Sequence, residues 1–311
     1  MRQLTFAAAT ALIVISGPMP AAAQSDGAEG SRFVMGFARL FSNDAIGDGR
    51  DRWRSGSYMV SMFRGRGWGG RLTQSPGDIL EYRLRSEIVA PSTLSRPPAW
   101  DRRYAGILSL GLHNHFALGP LDARVGADLV FTGPQTGVGA FQREFHEAFD
   151  YPRPRVLGTQ IPNGLHPTLS AELGRDFAIG EAVTLRPFVE AQAGIEDFAR
   201  GGVDLTLGQG FAGALMTRDP VTGQRVQGVA GPDAEGFTFT FGADVARVFD
   251  SEILPRGGAA PLEQTRSRLR AGVHWRNDRS EVFYGLTWHG REFTTQPDEQ
   301  VTGSLRLRLR F

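Results

Sequence analysis

The chain has 311 residues, 34 arginine or lysine side chains against 33 aspartate or glutamate, a formal net charge of +1, 40 glycines, 21 phenylalanines and no cysteine. A near-neutral charge argues against a nucleic-acid partner, because surfaces that track phosphates are strongly basic. Without cysteine an exported fold must be held together by something other than disulfides, and because every cation is an arginine, no lysine can serve as a catalytic group.

The N-terminus reads as an export signal. Arg2 supplies a positive start, Leu4 to Ser16 an apolar run, and Ala21-Ala22-Ala23 a small-residue cleavage site before Gln24. This is the layout of a secretory signal peptide over residues 1–23, with 24–311 as the mature domain. The apolar run is broken by Gly17, Pro18 and Pro20, and no later stretch approaches the roughly 20 apolar residues that a spanning helix needs.

From Phe33 onward, segments of about ten residues with period-two hydrophobicity alternate with polar or turn-like stretches, as in membrane barrels. In chain order the expected strands are Phe33–Phe41, Ser55–Phe63, Leu80–Ala90, Tyr104–Phe116, Leu121–Phe131, Thr168–Phe177, Ala182–Ile195, Arg200–Phe211, Phe237–Phe249, Arg268–Asn277, Glu281–Phe293 and a last one ending at Phe311. Phe237, Phe239 and Phe241 alternate with Thr238, Thr240 and Gly242. In the last strand Leu305, Leu307, Leu309 and Phe311 share one face and Arg306, Arg308 and Arg310 the other. In water such an apolar face needs a second layer; in a barrel the leucines meet lipid and the arginines a polar lumen. The terminal Phe also resembles the closing signal of outer-membrane barrels. The expected fold is all-β, a transmembrane antiparallel β-barrel of about twelve strands, with a secreted sandwich or jelly roll as the alternative.

With a periplasmic N-terminus, the short turns Leu118–Pro120, Ile179–Glu181 and Asp278–Ser280 fall on the periplasmic side, and the long connections Gly133–His166 and Asp250–Thr265 outside. Gly65–Gly77 and Ala212–Gly236 are long for periplasmic turns, so either the strand boundaries slip there or these connections carry insertions. Phe141, Phe145 and Phe149 recur at helical spacing, which predicts a short helix with one apolar face inside the long extracellular loop. Gln142 and His146, four apart, share another face of it, and a helix lying over the barrel mouth would bring the imidazole to a substrate.

Candidate chemistry gathers at strand ends next to outside connections. Asn43 and Asp44 offer hard oxygen ligands suited to calcium, although an ordinary Asx turn uses the same residues. Asp48 and Asp51 add acidic density. Arg96 lies on a loop where a guanidinium can hold phosphate or a developing oxyanion. His113 and His115 share a strand face, but two ligands make no metal site. No Gly-x-Ser-x-Gly elbow occurs.

Taken in order, these pieces resemble the outer-membrane lipid A 3′-O-deacylase family of LpxR type. Asn43-Asp44 follows the first strand, and Trp53-Arg54-Ser55-Gly56 is an aromatic-x-x-Gly element opening the second. Pro91 with Arg96 comes next, then Asp101-Arg102-Arg103-Tyr104-Ala105-Gly106, Gly133-Pro134, Gln142 four residues before His146, and Gln160-Ile161-Pro162-Asn163. The resemblance implies a twelve-stranded barrel with its site between the outer rim and a loop helix. It also implies a calcium-dependent ester hydrolysis like that of secreted phospholipase A2. By position, His146 would be the general base, Asn43 and Asp44 would build the calcium site, and Gln142 and Arg102 would meet substrate. The family's lysine corresponds to Arg96, and its threonine to Arg54 without a gap or to Ser55 with a one-residue slip.

The function expected on these grounds is hydrolysis of the 3′-linked acyloxyacyl chain of lipid A by a monomeric protein of the bacterial outer membrane. Its partner would be lipopolysaccharide in the outer leaflet, with Arg50, Arg52, Arg54, Arg96, Arg102 and Arg103 near a phosphorylated headgroup. The rivals are a narrow non-enzymatic pore, a lipopolysaccharide-binding member without catalysis, and an outer-membrane phospholipase with a serine nucleophile.

Overall fold

The computed structural model describes residues 31–231, 235–277 and 279–309. The expected signal peptide at residues 1–23 lies outside them, as do Asp278 of one expected turn and Arg310 and Phe311 of the expected C-terminal signal. The strands are β1 (Phe33–Asn43), β2 (Trp53–Gly65), β3 (Ile79–Ala90), β4 (Ala105–Leu118), β5 (Leu121–Thr132), β6 (Gly164–Gly174), β7 (Phe177–Ile179), β8 (Val183–Ala193), β9 (Glu196–Leu207), β10 (Leu215–Arg218), β11 (Arg225–Val229), β12 (Gly236–Ser251), β13 (Thr265–Arg276), β14 (Ser280–His289) and β15 (Gln300–Leu309), with one α-helix, α1 (Val138–Ala148).

Each of β1–β6, β8, β9 and β12–β15 pairs antiparallel with its neighbours. The sheet closes where β6 meets β8 and where β1 meets β15, at Phe41↔Leu305. The result is a closed twelve-stranded antiparallel barrel, with β7 a three-residue addition against β8. All twelve expected barrel strands are present. No described helix is long and apolar enough to cross a membrane; strands cross instead, because pairing around a closed sheet satisfies backbone groups that lipid cannot.

The alternation sorts side chains as the pattern requires. On β12, Phe237, Phe239, Val245 and Phe249 point out while Thr238, Asp244, Ala246 and Val248 are buried within. On β15, Leu307 is exposed and Arg306 is buried with Glu281 at 3.2 Å. The lumen is crowded with charge pairs, which leave a cavity of about 380 Å³ among Arg124, Glu172, Arg186, Asp204 and Arg270. His115 Nε2 lies 2.7 Å from Glu81 and His113 Nε2 3.2 Å from Asp128, so both expected lumen histidines have carboxylate partners.

The two connections that looked long for periplasmic turns carry insertions. Residues 208–231 turn back into the barrel as the β10–β11 hairpin. There Leu215, Val226 and Val229 pack against Ala38, Leu40, Met59, Phe63 and Ile79 of the wall. The approach is close: a Cβ on Gly36 would sit 2.2 Å from the Gly228 carbonyl oxygen. The buried Arg218 guanidinium anchors the hairpin, reaching Glu172 at 3.0 Å, Asp204 at 2.8 Å and the Gly223 carbonyl at 3.0 Å, and stacking 3.7 Å over Phe188. The other insertion, residues 66–78, ties in through Trp68, whose indole N–H donates to the Gly213 carbonyl at 2.8 Å. At the opposite end, Ile161 and Ile253 from two long connections close the lumen over Val89, Ala105, Ile107, Val130 and Ile195. This end, which carries connections 44–52, 91–104 and 133–163, is hereafter the outer end.

Candidate active site on the outer wall of the barrel

The strand register lines up one row of outward positions near the outer end. Gly303 pairs with Asn43, Asn43 with Gly56, Gly56 with Ile88, and Ile88 with Gly106. Three of the five carry no side chain, so neighbouring segments can lie directly on the wall. On one flank the first connection folds down over Gly303, where a Cβ would be 2.2 Å from the Ile46 carbonyl oxygen; the Tyr284 hydroxyl donates to that same oxygen at 2.7 Å. On the other flank α1 sits on Gly106, whose Cβ would lie 2.9 Å from Thr136 Oγ1 and 3.0 Å from Val138 Cβ. The helix therefore packs on the outside of the wall, not over the mouth as its sequence position suggested. Between the flanks, Gly56 and Ile88 form a floor about two strand spacings wide.

The expected loop helix is present; it begins after a 3-10 turn at Pro134–Thr136 and ends with Phe149 as its cap. Its buried face is Val138, Gly139, Gln142 and His146, so Gln142 and His146 do share the face turned to the barrel. The 133–163 connection is pinned at its end by the Gln-Ile-Pro-Asn segment. Ile161 N–H donates to the Tyr104 carbonyl at 2.7 Å, and Asn163 Oδ1 accepts the Gln135 N–H at 2.8 Å. The Arg103 guanidinium donates to the Thr159 and Gln160 carbonyls.

His146 is buried, and its Nδ1 lies 2.7 Å from the Pro152 carbonyl oxygen. A carbonyl only accepts, so Nδ1 carries the proton and Nε2 keeps a free lone pair. Nε2 faces the first connection, 4.0 Å from Asp51 Oδ2. Asp51 Oδ1 in turn accepts the Ser55 hydroxyl at 2.5 Å. Beneath them is the buried Tyr104, whose hydroxyl has no partner among the described residues; burial and the Asp51 charge push it upward in pKa. The Gln142 Oε1 is likewise buried and unpartnered.

Asp44 follows Asn43 at the end of β1 and is almost fully buried. It accepts the Arg52 N–H at 2.6 Å, but the charges facing it are Asp51 and Asp48, both of its own sign. Burial, reinforced by those two carboxylates, pushes its carboxyl up to about 9. A buried carboxylate in that setting fits a cation, and Asn43 Oδ1 beside it, which accepts the Ala45 N–H at 2.7 Å, retains a lone pair for one. No three His, Asp or Glu side chains converge on a metal position among the described residues, so a calcium ion would draw further oxygens from amides, backbone or substrate.

The model of the outer membrane protein LpxR family matches residues 6–311. The chain belongs to the LpxR outer membrane protein family. The membership and the barrel place it in the bacterial outer membrane. Its fold resembles LpxR from Salmonella typhimurium with a TM-score of 0.72, at 19% identity over 90% of this chain and 100% of that one. More distant are the NanC porin (TM-score 0.42, 7% identity, 88% of this chain and 99% of that one) and the β-domain of the Bordetella autotransporter BrkA (0.40, 12%, 89% and 99%). Nothing among curated protein sequences matches.

Within this LpxR-family barrel the remaining site candidates separate. Strand β2 opens on Trp53 in the left-handed region, φ 51°, and its pairing to β3 slips between Arg54 and Gly56. The extra residue is Ser55, and the slip turns Arg54 inward. There it pairs with Glu87, with Glu292 at 2.6 Å and with Glu196 at 3.5 Å. Ser55 is thus the member of the Arg54–Ser55 pair whose side chain joins Asp51 and His146. Arg102 is buried against Glu292. Arg52 is buried with Asp48 and Asp298, and Arg50 and Arg103 are tied to Asp298 and to backbone carbonyls. Of the six arginines expected near the headgroup, Arg96 alone is exposed with no partner among the described residues. Sequence reasoning counted Asp51 only as acidic density; its contact with a helix some 95 residues later is made by the strand register and was not readable from spacing.

Proposed function

We propose that this LpxR-family barrel is an outer-membrane ester hydrolase that removes the 3′-linked acyloxyacyl chain of lipid A. The observation that carries the reading is the His146 imidazole: its Nδ1 proton is held by Pro152, and its basic Nε2 faces the connection that holds Asn43, Asp44 and Asp51. The acyl chain lies along the Gly56–Ile88 floor on the lipid side of the wall, while Arg96 meets a headgroup phosphate.

His146 Nε2 takes a proton from water as the hydroxyl oxygen adds to the ester carbonyl carbon. When the carbon–oxygen bond to the sugar breaks, the imidazolium returns that proton to the leaving alkoxide, giving a free acid and a sugar hydroxyl. Asp51 stabilises the imidazolium from beside Nε2, and the Ser55 hydroxyl holds Asp51 in place. Asn43 and Asp44 would hold calcium, which when bound polarises the ester carbonyl. Gln142, one turn before His146, offers its unpartnered oxygen to the water or to the substrate.

The lumen-filling hairpin and its Arg218 anchor weigh against a pore. The Ser55 hydroxyl donates to Asp51 rather than to an imidazole, which weighs against a serine nucleophile, and inhibition by a serine-directed phosphonate would restore that reading. The test is mass spectrometry of lipid A after incubation with the protein. His146→Ala should lower release of the 3-acyloxyacyl group by about 10²–10⁴-fold; undiminished turnover removes His146 from the mechanism.

A further inference from the structure

We propose that α1 is seated in the outer leaflet as well as on the barrel, with Phe141, Phe145 and Phe149 resting among lipid acyl chains. The inference stands on the outer-membrane placement of the barrel and is independent of hydrolysis.

The helix buries Val138, Gly139, Gln142 and His146 against the wall and leaves its aromatic edge uncovered. Phe141 is 65% exposed and Phe149 39%. Residues four apart on a helix lie one above another, and these rings form a continuous ridge, with centroids 6.4 Å apart for Phe141–Phe145 and 4.7 Å for Phe145–Phe149. Tyr151 extends it, stacked 6.4 Å from Phe145. The ridge flanks the buried face on one side. Arg143, Glu144 and Glu147 project from the remaining surface and are exposed. An aromatic edge opposed to a charged one is the pattern of a helix lying in a membrane interface.

What covers the ridge follows from where the helix is seated. Val138 rests on Gly106, and the next outward residue down β4 is Leu108. Leu108 pairs with Phe131, and Phe131 with Leu165, which is 55% exposed. That row is the upper edge of the lipid-facing surface that continues below through Leu110, Leu112, Leu129 and Leu169. It lies one pleat repeat, about 7 Å, beneath the helix seat, and a helix with its side chains is about 10–12 Å across. The flank of α1 turned toward the membrane thus overlaps the level at which the wall already meets lipid.

Because the chain has no cysteine, one introduced cysteine is a unique attachment point. Spin labels would be placed at Phe141→Cys and, on the charged edge, at Glu144→Cys, with the protein reconstituted in dioleoyl phosphatidylcholine vesicles. Collisions with oxygen report lipid, and collisions with a soluble nickel chelate report water. The expected result is an oxygen-to-nickel ratio several-fold higher at position 141 than at 144. Equal ratios dominated by nickel would overturn the proposal. So would low collision with both reagents at 141, the signature of a second copy or another part of the chain covering the ridge. Phe149→Cys provides the same reading should the first variant fail to insert.

Discussion

The seat of α1 on Gly106 can be tested by adding atoms to it. A Cβ there would stand 2.9 Å from Thr136 Oγ1 and 3.0 Å from Val138 Cβ, where ordinary contact begins at 3.4 Å. Gly106→Ala therefore forces the first turn of the helix outward by about half an ångström, and Gly106→Val by more than about one. The barrel wall is held by its ladders on both sides and does not yield; the helix, attached through a loop, does. His146 is eight residues further on, about 12 Å along the same helix, and moves with it. If His146 is the general base proposed above, displacing it by about 1 Å costs on the order of 10²-fold. The expectation is about a tenfold loss of acyl release for Ala and about a hundredfold for Val. Both variants should keep the heat-modifiable gel migration of a folded barrel, since the strain falls on the loop. Full turnover with Val at position 106 would refute the idea that this seat positions the imidazole.

Two further outcomes follow from buried charge. The folded-state value of Asp44, about 9, lies above its unfolded value of 3.8, so the fold favours the acid form; the penalty is absent below about pH 4, grows as pH rises and is complete above about pH 9. In metal-free protein the melting temperature of the parent should fall relative to Asp44→Asn across that window, and calcium should raise the parent's melting temperature but not the variant's; parallel pH profiles would remove the buried charge from the account. Arg218→Ala strips the hairpin of its contacts to Glu172 and Asp204, and loss of one partner from a buried ionic cluster costs about 3–5 kcal/mol. The variant should melt earlier and show channel openings in planar bilayers where the parent shows none, and a silent variant of unchanged stability would mean that the hairpin neither seals nor braces the lumen.

Much of the barrel could be read along the chain because a strand that faces lipid on one side and a polar lumen on the other must alternate. Phe237 against Thr238 and Leu307 against Arg306 show the rule obeyed residue by residue. The loop helix was legible for the opposite reason, a three-phenylalanine spacing of four. Its seating was not: a place over the barrel mouth was expected, yet the helix lies on the outer wall with Gln142 and His146 turned inward and Phe141 and Phe149 uncovered. Register decided this, by bringing Gly106 under Val138. The Arg54–Ser55 ambiguity was also beyond the sequence, because one inserted residue at the start of β2 reverses which side chain faces the lumen, and alternation alone does not reveal the insertion.

The sequence by itself determined a membrane barrel, its strand count, and the order of the elements that mark its family, since these follow from local periodicity and from motifs read along the chain. Tertiary structure alone decided that the β10–β11 hairpin enters the lumen, that Arg54 is committed to three glutamates, and that Asp51 stands beside His146. Such contacts join segments far apart in the chain, and only closure of the sheet, with one particular set of strand pairings, brings them within reach of each other.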